Sequence, residues 1–311
     1  MNTKNKILIT GATGFVGSNL STYLQKKGFP IIGITRTPKT ANEISYDSLS
    51  IASWNSSTAI IHLAGKAHDL KGVANESDYF AVNTELTKTL FEQFLKSNCS
   101  IFMYMSSVKA VADKVEHELT ENEFPNPQTA YGKSKLAAEQ YLLAQELPND
   151  KFVYILRPCM IHGPGNKGNL NLLYKLVSKG IPYPLGAFKN KRSFLSIENL
   201  NFIILELLKQ KPASGVYNIA DEEAIATTDL IKLIAESLGK KPRIVSITPK
   251  FVKVLAAFGS IFKLPFTKEK LQKLTENYVV SNQKIKDTLN IQLPVNTKKG
   301  LIRTFKSFNN K

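Results

Sequence analysis

Tyr131 and Lys135 stand four residues apart in Tyr131-Gly132-Lys133-Ser134-Lys135, within a helical pattern that runs over Ala130–Leu147. On a helix, positions i and i+4 share a face. A phenol is a poor acid–base group at its ordinary pKa of about 10. A neighbouring ammonium favours the phenolate and draws that pKa toward the working range. Upstream, the apolar run Ile101–Met105 ends in Ser106-Ser107. A hydroxyl at the carboxyl end of a strand can hydrogen-bond a substrate oxygen beside the tyrosine. Each feature alone is common by chance, as a helical Tyr-x-x-x-Lys or as a turn after a strand. Their order along the chain makes the case for proton transfer at an oxygen.

A second reactant is implied by Lys6-Ile7-Leu8-Ile9-Thr10-Gly11-Ala12-Thr13-Gly14-Phe15-Val16-Gly17. The apolar run reads as a buried parallel strand. Gly11 permits a tight turn, Gly14 lets a pyrophosphate approach the backbone, and Gly17 lets the next helix pack close. That helix, read as Phe15 to Lys27, aims its amides and positive dipole end at the phosphates. The alternative is an ordinary glycine turn, but a strand before, an amphipathic helix after and a second strand beyond favour a dinucleotide.

The elements that must position these groups alternate. Strands are expected at Lys6–Thr10, Pro30–Thr35, Ala59–Leu63, Ile101–Ser106 and Phe152–Arg157, with helices such as Tyr79–Ser97 between them. This rhythm predicts an α/β fold with a Rossmann-type, doubly wound parallel sheet over residues 1–160. After Pro158 the rhythm breaks into the loop Gly163–Gly168, a helix over Asn169–Lys179 and a Pro-rich turn. Residues 161–311 read as a smaller α+β substrate lobe, with 190–220 returning to the main domain through a strand near Val216–Ile219.

At these residues the chain resembles the extended short-chain dehydrogenase/reductase family, the NAD-dependent epimerases and dehydratases that act on nucleotide sugars. The resemblance spans essentially the whole chain. It rests on Gly11/Gly14/Gly17, His62-Leu63-Ala64-Gly65, Val82-Asn83-Thr84, Ser106-Ser107, Tyr131/Lys135, Leu156-Arg157-Pro158 and Gly163-Pro164-Gly165. It implies that Tyr131 is the general acid/base, that Lys135 orients the nicotinamide ribose, and that Ser107, with Ser106 as the fallback, aligns the reacting oxygen. It places the cofactor against Gly11, Thr13, Gly14, Phe15, Val16, Gly17, Arg36, Leu63, Ala64, Gly65, Asn83, Tyr131, Lys135 and Pro158. His62 reads as a packed strand residue. His162 stands where the family usually shows a tyrosine, so no role is carried onto it.

Family members that prefer NAD usually carry an acidic residue at the end of the second strand. Here Ile34-Thr35-Arg36-Thr37 offers a guanidinium, with Lys39 close by. Arg36 can pair bidentately with a 2′-phosphate, so NADP is expected over NAD. The stretch Gly186–Leu195 resembles the family's diphosphate- and uridine-binding segment. It makes Arg192, with Asn169 and Ser107, the expected substrate contacts. The arrangement is similar to that of reductases acting on UDP-linked 4-keto-6-deoxy-N-acetylhexosamines for surface polysaccharide synthesis. The alternatives are a UDP-hexose or UDP-N-acetylhexosamine 4-epimerase holding NAD, and a non-catalytic NADP-binding scaffold. The resemblance also implies a homodimer.

Bulk properties narrow the partners. The 311 residues are 43% apolar, enough for a large core. Cys99 and Cys159 supply neither a disulfide framework nor a metal cluster, and no metal is expected. Polar first residues and a four-residue apolar run are unlike a signal peptide, so a cytoplasmic location is expected. The net charge of +16 draws anions, yet the lysines are spread without nucleic-acid motifs, so nucleic acid is not expected. One apolar and basic segment, Phe251–Phe266, could dock on a membrane surface or form a helix buried in the small lobe.

Overall fold

The computed structural model describes residues 6–67, 75–166, 168–261 and 267–308. The first half runs β1 (Lys6–Thr10), α1 (Phe15–Lys26), β2 (Ile31–Thr35), β3 (Glu43–Ser45), α2 (Ile51–Asn55), β4 (Ser57–His62), α3 (Glu76–Phe80), α4 (Leu86–Leu95), β5 (Ile101–Met105), α5 (Ala130–Leu143) and β6 (Phe152–Pro158). A π-helical turn, Ala81–Glu85, joins α3 to α4. The second half runs β7 (Met160–His162), α6 (Asn169–Ser178), β8 (Lys191–Arg192), β9 (Phe194–Ser196), α7 (Ile197–Gln210), β10 (Gly215–Ile219), β11 (Ile225–Ala226), α8 (Thr227–Ser237), α9 (Pro249–Ile261), α10 (Lys268–Thr275), α11 (Gln283–Leu289) and α12 (Thr297–Phe308).

Seven strands form one sheet in the order β10-β6-β5-β4-β1-β2-β3, every pair parallel. This is the doubly wound Rossmann-type sheet expected from the alternation. Parallel strands are covered on both faces and so read as continuous apolar runs. Ile7 and Ile9 of β1 face the core that holds Leu20 and Leu24 of α1 and the buried side of α7. Leu8 faces the opposite core, with Phe91 and Phe94 of α4 and Leu142 of α5. The chain winds outward from β1 to β2 and β3, then returns to β4 on the other side of β1. The crevice at this switch lies at the carboxyl ends of the strands, where open α/β sheets bind ligands.

A second core gathers α6, α8, α9, α10 and α12, with Leu170, Ile231, Ile234, Leu301 and Phe305 among its buried members. Two-stranded pairings, β7 with β9 and β8 with β11, stand between the two cores. Tyr278, Val280, Ile285 and Leu289 join the sheet-side core. The segment read as membrane-docking or buried forms α9 over its first part, with Val252 and Ala256 buried; residues 262–266 lie outside the described residues. Among the described residues no helix is long and apolar enough to cross a membrane.

Candidate active site

The glycine loop closes on itself at the carboxyl end of β1. Gly11 has φ +65°, and Gly14 N–H donates to Gly11 O at 3.0 Å. A Cβ on Gly17 would meet Gly11 O at 2.2 Å, and one on Gly11 would meet Ala64 N at 2.9 Å. Any side chain there would push the loop off α1 or off the turn after β4. α1 opens at Gly14 with no side-chain cap and no acidic residue in its first turn. Thr13 and Gly14 are exposed, and Phe15 and Val16 are half-buried. An uncapped helix N-terminus behind an exposed glycine turn is a ready anion site, so these residues fit a dinucleotide's pyrophosphate.

The turn Leu63-Ala64-Gly65 is held by a directed chain of hydrogen bonds. Ala64 N–H donates to Thr10 Oγ1 (3.0 Å), whose hydroxyl is 2.7 Å from His62 Nδ1. Thr87 Oγ1 donates to Asn83 O (2.7 Å), so it accepts from His62 Nε2 at 3.0 Å. The ring therefore carries its proton on Nε2. Burial pushes the His62 pKa down to about 3, with the Lys135 charge adding to the effect. His62 is the packed strand residue expected. Asn83 is wholly buried. Its Oδ1 accepts from Lys66 N–H (2.8 Å), and its Nδ2 donates to Lys66 O (3.0 Å) and to Ser134 Oγ (2.9 Å). Its polar atoms shape the turn and tie it to α5.

Opposite this turn stand Ser107, Tyr131 and Lys135. The Ser107 hydroxyl bonds the Tyr131 phenol and accepts Lys109 N–H at 3.1 Å. Ser106 is committed elsewhere: its hydroxyl donates to the Glu139 carboxylate. Lys135 Nζ donates to Met105 O (2.8 Å) and lies 4.7 Å from the centre of the Tyr104 ring. A Cβ on Gly65 would come within 3.0 Å of that Nζ, so the turn after β4 and α5 face each other closely.

One expectation is corrected here. Tyr131 is not made acidic by Lys135. Burial raises the phenol's pKa, and the hydrogen bond from Ser107 is what opposes the rise. The lysine is turned to the end of β5. Burial lowers its own pKa to about 7, with Glu139 working against the drop.

Three residues given no role from the sequence form the support. Arg157 Nε lies 3.0 and 3.1 Å from the two Glu139 oxygens, and the guanidinium's other arm closes the pair. Both side chains are buried. Glu139 follows Lys135 by one helical turn, a spacing visible in the sequence. Asp113 accepts Gln128 N–H (2.7 Å) and Thr129 N–H (3.3 Å) just before α5, and Thr129 caps its first turn through Gly132 N–H. No motif marked Asp113, because its partners lie fifteen and sixteen residues on.

The remaining expected residues are Pro158, Arg36, Arg192 and Asn169. Pro158 is buried at the end of β6, paired with Ile219. Arg36 is exposed at the tip of β2, and its charge acts on the half-buried Tyr46, which lies against Thr10. Arg192 is ion-paired to Glu276 at 3.3 Å and borders Tyr183. Its strand bridges to Tyr278, whose hydroxyl donates to Ala112 O at 2.6 Å, just beyond Ser107. The Asn169 side chain lies outside the described residues.

The pattern of the NAD dependent epimerase/dehydratase family matches residues 7–220. The chain is 30% identical to the UDP-glucose 4-epimerase of Vibrio cholerae, over 97% of this chain and 95% of that protein. It is 26% identical to the dTDP-4-dehydro-6-deoxyglucose reductase of Escherichia coli, over 76% of this chain and 83% of that one. The solved structure of MoeE5 with UDP-glucuronic acid and NAD superposes with a TM-score of 0.76 at 21% identity, covering 98% and 99% of the two chains. The glycine loop, the facing tyrosine and lysine and these similarities converge: this chain belongs to the NAD dependent epimerase/dehydratase family and is an enzyme that uses a nicotinamide dinucleotide.

Proposed function

We propose that the chain reduces the C4 ketone of a UDP-linked 4-keto-6-deoxy-N-acetylhexosamine with NADPH, in the making of surface polysaccharide precursors. The tip of β2 carries this reading. Arg36 stands there exposed, and Glu43, the acid next along the chain, spends its carboxylate on Lys39 N–H at 2.6 Å. A guanidinium with no carboxylate beside it in sequence suits a 2′-phosphate. The glycine loop and the N-terminus of α1 would hold the nicotinamide dinucleotide, which would supply hydride to the carbonyl carbon. Tyr131, kept protonated by burial, gives its proton to the forming alkoxide. Ser107 donates a hydrogen bond to the same oxygen and stabilises the developing charge. Lys135, one helical turn on from Tyr131 and with its pKa lowered to about 7 by burial, would return a proton to the phenol. On the substrate side, the Tyr183 hydroxyl is buried with no hydrogen-bond partner among the described residues, next to the Arg192 guanidinium. The pair offers a donor and a cation to a sugar diphosphate. The reading extends to a homodimer through α5, whose Leu143 is 57% exposed, and light scattering is expected to give twice 34.6 kDa.

The test is incubation with UDP-4-keto-6-deoxy-N-acetylglucosamine and NADPH, followed at the nicotinamide absorbance band. Consumption of NADPH in step with 4-hydroxy product supports the proposal. The second reading is a UDP-hexose or UDP-N-acetylhexosamine 4-epimerase, favoured by the near full-length match to the Vibrio cholerae epimerase. It is expected to release stoichiometric NAD from the purified protein and to interconvert sugars without consuming nucleotide. That outcome replaces the reductase reading.

A further inference from the structure

α9 is apolar on two opposite faces. Val252 and Ala256 point into the second core and are buried. Phe251, Val254, Leu255 and Phe258 are 55%, 52%, 46% and 54% exposed. Their spacing of i, i+3, i+4 and i+7 sets them in one outward stripe. Such a contiguous exposed stripe marks a contact surface.

Exposed cations flank it among the described residues. Lys250 and Lys253 of α9 are exposed, and α9 contains no acidic residue. α10 packs against α9 and starts at the exposed Lys268, whose N–H donates to Ser260 Oγ of α9 at 3.0 Å. The segment leading into α9 adds Lys240, Lys241 and Arg243, all exposed. Two copies of this face would bring these cations together at reduced dielectric, which opposes self-association. An anionic surface that also accepts apolar side chains satisfies both features.

We propose that the outer face of α9 docks the protein on an anionic lipid bilayer, with Phe251, Val254, Leu255 and Phe258 entering the headgroup boundary and Lys250, Lys253 and Lys268 meeting lipid phosphates. Aromatic and aliphatic side chains beside lysines are the composition of helices that lie in the membrane interface. The docked face adjoins the substrate wall. Asn190 Nδ2 donates to Leu274 O of α10 at 3.2 Å, and Glu276 just beyond α10 holds Arg192. The proposal stands on the surface alone and is the same for a reductase or an epimerase.

The experiment is co-sedimentation of the full chain with phosphatidylcholine vesicles, with and without phosphatidylglycerol. The chain is expected to pellet with the anionic vesicles, and less so as salt rises. Phe251→Ser with Leu255→Ser, and separately Lys250→Glu with Lys253→Glu, are each expected to lower partitioning at least about tenfold. Both pairs are surface-exposed, so melting temperature and nicotinamide binding are expected to hold. Absence of sedimentation with anionic vesicles overturns the proposal, as does binding that survives both double substitutions. Loss of oligomeric mass in the serine variant also overturns it, assigning the stripe to contact between copies.

Discussion

In the proposed reaction Tyr131 gives up a proton that burial keeps on its oxygen, with Ser107 as the neighbour that stabilises negative charge there. Removing that hydroxyl removes the acid and little else. Tyr131→Phe is expected to lower the single-turnover rate by roughly 10²- to 10⁴-fold while leaving nicotinamide binding near the parent value. Arg36 is argued on the same scale. A guanidinium–phosphate pair is worth about 1.5–3 kcal/mol, so Arg36→Asp is expected to raise the KM for NADPH by roughly 10- to 100-fold and to favour NADH. Equal use of both nucleotides by the parent protein would sink that argument. The residues of the site were legible because their spacings are local: four residues from Tyr131 to Lys135, three between successive glycines. The sign of the effect on Tyr131 was not. It depends on where Nζ turns, and its partner Met105 O is thirty residues away on the end of a strand.

α5 carries both the phenol and the lysine, so its placement would set the geometry of the proposed reaction. Its first turn packs tightly: a Cβ on Gly132 would meet Lys109 O at 2.4 Å. Its middle is held by the buried Glu139–Arg157 pair. Breaking such a pair by removing one partner leaves a buried charge uncompensated. Glu139→Gln is therefore expected to cost about 3–5 kcal/mol in denaturant unfolding, and adding Arg157→Met is expected to recover part of the loss. If the double variant is as unstable as the sum of the singles, the pair is not coupled. The strands that build the crevice were readable because they are buried on both faces. β1, β2, β5 and β6 fall within a residue of their expected positions. The short strands β3, β7, β8, β9 and β11 were not readable. Glu43-Ile44-Ser45 is too brief for a pattern, and β7 owes its existence to pairing with β9, more than thirty residues later.

For the molecule as a whole, the buried bases Lys135 and His62 are among the groups that link folding to pH in the ligand-free protein. Burial sets the folded pKa of Lys135 at about 7, below its ordinary 10.5. Below pH 7 both states hold the proton, and the full cost of the buried ammonium is present. Between these values the unfolded chain holds a proton that the native state has released, so stability rises with pH. The slope is at most about 1.4 kcal/mol per pH unit for one proton. His62 behaves in the same sense at lower pH. Its folded pKa of about 3 lies below 6.5, so it contributes nothing above pH 6.5 and costs stability as pH falls beneath that. The expected curve of unfolding free energy against pH therefore falls in acid below 6.5 and climbs from 7 toward 9. Urea unfolding at a series of pH values measures it. Lys135→Met is expected to flatten the alkaline climb and leave the acid limb, while His62→Gln, which can still donate and accept between Thr10 and Thr87, is expected to flatten the acid limb alone. A parent curve that declines between pH 7 and 9, or an alkaline limb unchanged in Lys135→Met, would place the titrating group elsewhere. The ammonium would then be as well solvated in the native state as in the unfolded chain.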